Sequence, residues 1–273
     1  VIRKGKRKET RRYAAPDDAD IQREARVLDL LCERLAYWQG KGFIPSKQIP
    51  EGGAKTEEPI RNRGWTHWHH LFTPRQLLTH GLLAEISDRL SDSKEIRVAC
   101  LLGLGRMADW NARLSAWMFH KGNEKGNQVF YNQALNCHFN YAARAFSKLN
   151  DTFQIFDSAA ESQSELRSTI VQMDARDIRE TCDLWVTDPP YADAINYHEL
   201  SDFFLAWYDK QIARLFPEWT PDSRAELAVR GDGEDFRRSM VEIYQNLARH
   251  MPDNGLQMVQ FTHQDPGVWA DLG

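Results

Sequence analysis

Apolar residues recur at three- and four-residue steps over several long stretches of this chain and cluster in a few short ones, a pattern that predicts several helices and a few strands. Ile21, Ala25, Leu28, Leu31, Leu35 and Trp38 mark an amphipathic helix from Asp20 to Trp38, with Asp17 or Asp18 near its start and Gly40 at its end. Residues 40–64 carry Pro45, Pro50, Pro59 and five glycines with little periodicity, so they read as a linker or long loop. Thr73 is a good N-cap and Pro74 suits the first helical position, so a helix should run from there to about Leu90. Helical spacing returns between Ile96 and Trp117, from Gln133 to Phe146, through Leu200, Phe203, Phe204, Trp207, Ile212 and Leu215, and from Phe236 to Met251. Strands are expected at Ser168–Met173, at Asp183–Thr187 and at Gly255–Thr262, the last led in by the turn Pro252-Asp253-Asn254. Strands separated by helices imply a parallel α/β sheet. The run Asp183-Leu184-Trp185-Val186-Thr187 stops at Asp188-Pro189-Pro190. It reads as a buried strand whose end is forced out of the sheet, because proline donates nothing to a ladder.

Composition changes this picture little. With 273 residues, 42% hydrophobic and 11% aromatic, the chain is long and apolar enough for one large or two small cores. The net charge of -4 gives no global argument for nucleic acid, so any such contact must come from local patches. Arg3, Lys4 and Arg7 belong to a run of seven cations in the first twelve residues, which suits either a phosphate-binding arm or a solvated tail. Cys32, Cys100, Cys137 and Cys182 form no Cys-x-x-Cys pair, which argues against a zinc ribbon or disulfide framework. His67, His69 and His70 have no carboxylate or cysteine spaced with them and read as part of an aromatic loop, with no metal expected. Gly103-Leu104-Gly105 continues a helical pattern through Arg106 and Met107, so its glycines serve close packing. No apolar run approaches a membrane span, and a cytoplasmic location is expected.

Asp188-Pro189-Pro190-Tyr191 is similar to the Asp/Asn-Pro-Pro-aromatic signature of S-adenosylmethionine-dependent DNA methyltransferases that modify exocyclic amines. The longer run from Thr187 through Asn196-Tyr197-His198-Glu199-Leu200-Ser201-Asp202-Phe203-Phe204 resembles a narrower group, the large bacterial and archaeal adenine-specific DNA methylases, some of which carry a zinc ribbon. The resemblance extends weakly from about Gly64 to the end.

It implies an α/β fold, a partial Rossmann-like methyltransferase sheet with substantial helical additions, and methylation of adenine N6 or cytosine N4, with adenine favoured. The cofactor would be S-adenosylmethionine and the partner DNA, with the target base flipped out. The carboxylate of Asp188 and the carbonyl of Pro189, held by Pro190, would accept the amine hydrogens, and Tyr191 would offer a stacking face. Asn196 and Tyr197 would lie beside the nucleic acid. Asp174 would accept from the cofactor's adenine, although a turn or helix cap explains the same acid. Thr73 and Pro74 resemble a Thr-Pro-Pro element beside the cofactor, but the second proline is Arg75 here.

The family's Asp-Pro-Phe-x-Gly-x-Gly loop is not found, so the resemblance implies a portion of a larger polypeptide whose other segments are partners. Three regions are expected: an arm, helix and linker over 1–63, a helical region over 64–150, and a catalytic α/β portion over 151–273. Two alternatives stand beside this reading. One is a catalytically silent nucleic-acid-binding or assembly module that keeps the fold. The other is an unrelated α/β protein in which the tetrad only ends a strand.

Overall fold

The computed structural model describes residues 14–53, 56–118, 125–126, 128–130, 168–189, 197–219, 222, 233–262 and 266–272. The expected helix over 133–146 and the whole of the N-terminal cationic run lie outside them. In chain order the elements are α1 (Asp18–Lys41), α2 (Glu57–Arg63), a 3-10 turn (Trp68–Leu71), α3 (Pro74–Leu90), α4 (Lys94–Trp110), β1 (Trp117–Met118) and β2 (Lys125–Gly126). There follow a 3-10 turn (Ala175–Asp177), β3 (Leu184–Thr187), α5 (Tyr197–Leu215), α6 (Gly233–Arg249), β4 (Leu256–Val259) and α7 (Pro266–Leu272). The architecture is mixed α/β and mostly helical, with one small two-stranded parallel sheet.

Local chemistry sets the helix ends. Asp17 and Asp20 form a reciprocal capping box that starts α1, and Gly42 ends it in the left-handed conformation at φ 77°. Thr73 accepts from the Gln76 backbone at 3.2 Å while its own N–H donates to the Gln76 side chain at 2.8 Å, so α3 begins where the sequence puts it. Ser93 caps α4.

These helices share one core. Leu31 and Trp38 of α1, Leu77 and Ala84 of α3, Leu104 and Ala108 of α4, and Phe203, Ala206 and Trp207 of α5 are buried together with Trp68, Leu71 and Phe72. The core therefore crosses both expected boundaries, at 63/64 and at 150/151. The reason is geometric: α1 lies along α3, α3 along α4, and α4 along α5. The described residues of the stretch from 40 to 64 are also more built into the fold than a linker would be. Phe43, Ile44 and Ile49 are buried, Gln48 bridges to His67, and α2 occupies its last turns.

Gly103 and Gly105 lie inside α4, where a side chain on Gly105 would meet the Tyr208 hydroxyl. At Gly105 this is the close packing that its position in a helical pattern implies.

At the centre of the core, His80 is fully buried between Phe72 and Trp207, with Asn111 at 3.2 Å from its Nε2. Burial pushes its imidazole down to about 3. The unfolded chain, titrating near 6.5, binds a proton that the folded one refuses as pH falls from about 6.5 towards 3. The contribution is thus complete above 6.5, and stability should fall by up to about 1.4 kcal/mol per pH unit below it. Urea midpoints at pH 7.5 and 5 should show this loss, and His80→Gln should reduce it to the share that the other lowered histidines, His69 and His70, contribute. A slope unchanged by the substitution would contradict the assignment.

The sheet differs from expectation. β3 and β4 pair in parallel, Leu184 with Leu256 through Thr187 with Val259, and no third strand joins them among the described residues. Residues 168–173, expected as a strand, take up no regular secondary structure. Leu184, Val186, Leu256 and Met258 point to one face and are 50–68% exposed, so the expected buried strand is open on that side. Parallel sheets are ordinarily covered on both faces, and none of the described elements covers this one.

Candidate active site

Leu256 N–H donates to the Asp183 carbonyl at 2.9 Å, and Gln260 N–H donates to the Thr187 carbonyl at 2.8 Å, so the ladder runs the full length of β3 and closes at its last residue. Immediately beyond, Asp188 is exposed and Pro189 is buried. A proline with no N–H can sit there without leaving a donor unmet, and its burial fixes the chain while the acid before it faces solvent. Pro190, Tyr191 and Asn196 lie outside the described residues, as do Arg3, Lys4 and Arg7.

The start of α5 is anchored by a residue whose importance the pattern alone does not signal. Tyr197 opens α5 and is exposed, and two residues later Glu199 is 5% exposed. Its carboxylate accepts from the Thr56 backbone at 2.9 Å and from the Thr56 hydroxyl at 3.1 Å. On either side of residues 190–196 stand a buried proline, Pro189, and, two residues into α5, a buried acid tied to the segment before α2. Glu199→Ala strands two buried donors of Thr56 and should cost about 1–3 kcal/mol in chemical denaturation. Glu199→Gln, which keeps an acceptor, should cost less. Equal losses would show that packing alone matters there.

Asp174 and Asp188 belong to the same small α/β part, which the 3-10 turn joins by packing on α6 and by Asn246 donating to the Ala175 and Ile178 carbonyls. Asp174 caps that turn, accepting from the Arg176 backbone at 2.8 Å, and makes an ion pair with the Arg176 guanidinium at 2.6 Å. The hydrogen bond from Arg176 leads in holding its carboxyl below the usual range, and Arg176 is raised in turn by its bonds to Asp174 and Glu242. Of the two explanations the sequence offers for this acid, the cap is the one seen. Thr73 and Pro74 sit apart, at the start of α3 in the helical core, and the polar groups of Thr73 are engaged in the capping box.

Of the three residues expected beside S-adenosylmethionine, Asp174 and Thr73 have their side chains engaged in caps and Pro74 has no side-chain polar group, and the glycines of Gly103-Leu104-Gly105 are buried within α4. The described residues do not by themselves make a fitting site for that cofactor.

His67, His69 and His70 pack ring against ring, with His69 and His70 centroids 4.5 Å apart. Burial, then the neighbouring histidines, brings His69 down to about 4. Burial also leads in lowering His70, followed by His67 and Arg113. Among the described residues no group of three His, Cys, Asp or Glu side chains is placed to hold a metal ion. No helix among them is long and apolar enough to cross a membrane.

Compared with protein-family models, with curated proteins and with solved structures, the chain matches none.

Proposed function

We propose that this chain carries the target-base side of an S-adenosylmethionine-dependent nucleic-acid amino-methyltransferase, acting on adenine N6 or cytosine N4 within a Rossmann-like sheet of which β3 and β4 are two strands. The observation that carries the reading is the end of β3. A strand in a parallel pair stops at Thr187, and the next residues are an exposed acid and a buried proline. Ligands of open parallel sheets bind at the carboxyl ends of strands.

An aromatic amine is a poor nucleophile because its lone pair is delocalised into the ring. Two acceptors fixed in position, the Asp188 carboxylate and the Pro189 carbonyl, favour a tetrahedral nitrogen by taking up both of its hydrogens. The buried Pro189 ring holds the second acceptor still, and the Tyr191 ring supports the extruded base by stacking. Asp188 then holds the proton that the amine sheds. S-adenosylmethionine would supply the electrophilic methyl group, and the elements that would grip it lie outside the described residues.

Transfer of a tritiated methyl group from S-adenosylmethionine to DNA, measured on the full-length gene product, tests the proposal. Incorporation into adenine or cytosine exocyclic nitrogen is expected. Cofactor-independent DNA binding without any incorporation would favour the silent module.

A further inference from the structure

Beside its core-facing residues Phe203, Ala206 and Trp207, α5 carries a second apolar stripe, Phe204, Tyr208 and Ile212 at four-residue spacing. With Val171 and Gln172 of the segment that leads to Asp174, and with Trp219 beyond the end of α5, this stripe lines a cleft of about 380 Å³. That is within the size of sites for small organic ligands, roughly 300–1,000 Å³. Among the described residues that line it there is no lysine, arginine or histidine, and Asp222 brings the one acid. Trp219 is held from behind. Its ring stacks on Phe216 with centroids 4.2 Å apart and planes 11° from parallel, and the Lys94 ammonium of α4 stands over Phe216 at 4.0 Å. The Phe216 N–H donates to the Ile212 carbonyl at 2.7 Å and the Trp219 N–H to the Phe216 carbonyl at 2.9 Å, which fixes the turn that carries the pair.

The lining selects the ligand. Without a cation the cleft offers no counter-charge to a phosphate or carboxylate, so what enters is a neutral group and any phosphate stays outside. An indole with one face covered by Phe216 can stack a flat ring only on the other, and every nucleobase has such a face. The Gln172 side chain is exposed and hydrogen-bonds no described residue, so its amide offers a donor and an acceptor side by side. That pair matches one base edge in particular, the N6 donor and N7 acceptor of adenine. The fixed Phe216–Trp219 stack lowers the ordering cost of binding.

We propose that this cleft takes an unpaired adenine of a nucleic-acid strand, stacked on Trp219 with its N6 and N7 edge on the Gln172 amide. The choice of a strand over a free nucleoside rests on the methyltransferase reading, but the base site stands on its own geometry.

Fluorescence anisotropy of labelled thymidine 12-mers, one with a single central adenine and one with 7-deazaadenine in its place, titrated with the full chain between 50 and 200 mM KCl, tests it. The adenine strand should bind about tenfold more tightly than the all-thymidine strand, and the 7-deazaadenine strand, which lacks the N7 acceptor, should fall between them. Trp219→Leu should weaken binding of the adenine strand about tenfold, by the same factor at both salt concentrations because no phosphate contact is lost. Gln172→Ala should bring the adenine and 7-deazaadenine strands to one affinity, and Tyr37→Leu, which removes an exposed ring on α1, should change neither result. Wild-type affinity for the adenine strand in a Trp219→Leu variant with native circular dichroism would overturn the site. If that variant does not fold, unchanged discrimination between adenine and 7-deazaadenine in Gln172→Ala would do so, as would the absence of any adenine preference in the wild type. Displacement of the strand by adenosine at concentrations equal to the 12-mer would assign the cleft to free nucleosides and overturn the strand. Methyl transfer is not read in this assay, so absence of transfer with an adenine preference mapped to Trp219 and Gln172 would sink the enzyme and spare the cleft.

Discussion

Trp38→Ala is expected to lower the unfolding free energy by about 3–5 kcal/mol, the usual cost of emptying a large aromatic site in a core. Trp38 is 0% exposed, and its ring lies so close to α3 that a side chain on Gly81 would come within 2.3 Å of it. Its indole N–H also donates to Glu85 at 3.2 Å, so the substitution removes a hydrogen bond along with the packing. Against a total stability of about 5–15 kcal/mol this is a large fraction, and the melting temperature should drop by on the order of 10 °C. Thermal and urea unfolding check it. A loss below about 1 kcal/mol would mean that α1 is an appendage rather than a wall of the core.

That result also bears on what the sequence could reveal. Helices were legible wherever a cap and an apolar period agreed. Asp17 and Thr73 set helix starts in side-chain chemistry a few residues apart, and α3 falls where the pattern predicts, whereas α1 runs past the expected Gly40 to its left-handed cap at Gly42 and α4 stops at Trp110, short of the expected Trp117, which lies in β1. The end of β3 was legible for the same kind of reason, since proline is a local constraint.

Long-range packing was not. Nothing near Ile21 or Leu35 announces that α1 buries Trp38 against Gly81, and a proline- and glycine-rich stretch conceals the buried Phe43, Ile44 and Ile49. The tie between Glu199 and Thr56 spans 143 positions. An acid that reads as one more polar helical residue becomes a buried anchor only once the fold supplies its donors. Residues 168–173 mislead in the opposite way. Their β-branched and apolar content suits a strand, but pairing needs a neighbour, and Ile170 and Val171 stay 78% and 61% exposed. Asp174 could be read as a cap or as a cofactor ligand from sequence because both uses need an acid after an extended segment. Arg176, two residues on, is what commits it to the cap.

The largest functional effect should come from Asp188→Ala. The side chain is exposed beyond the last ladder bond of β3, so its removal should leave folding near wild type, as surface changes generally do. In the proposed reaction it nevertheless takes away one of the two acceptors for the amine, and losing one preorganised polar partner of a reacting group costs about 10² to 10³ in rate. Asp188→Asn, which retains a carbonyl acceptor without the charge, should fall between the two.

The most direct measurement is therefore tritiated methyl transfer to DNA by the full-length protein carrying Asp188→Ala, with circular dichroism and thermal unfolding alongside. Transfer reduced at least about 10²-fold in a protein that melts as wild type is the predicted result. Undiminished transfer in the same folded variant would contradict the assignment of the β3 end as the site of chemistry.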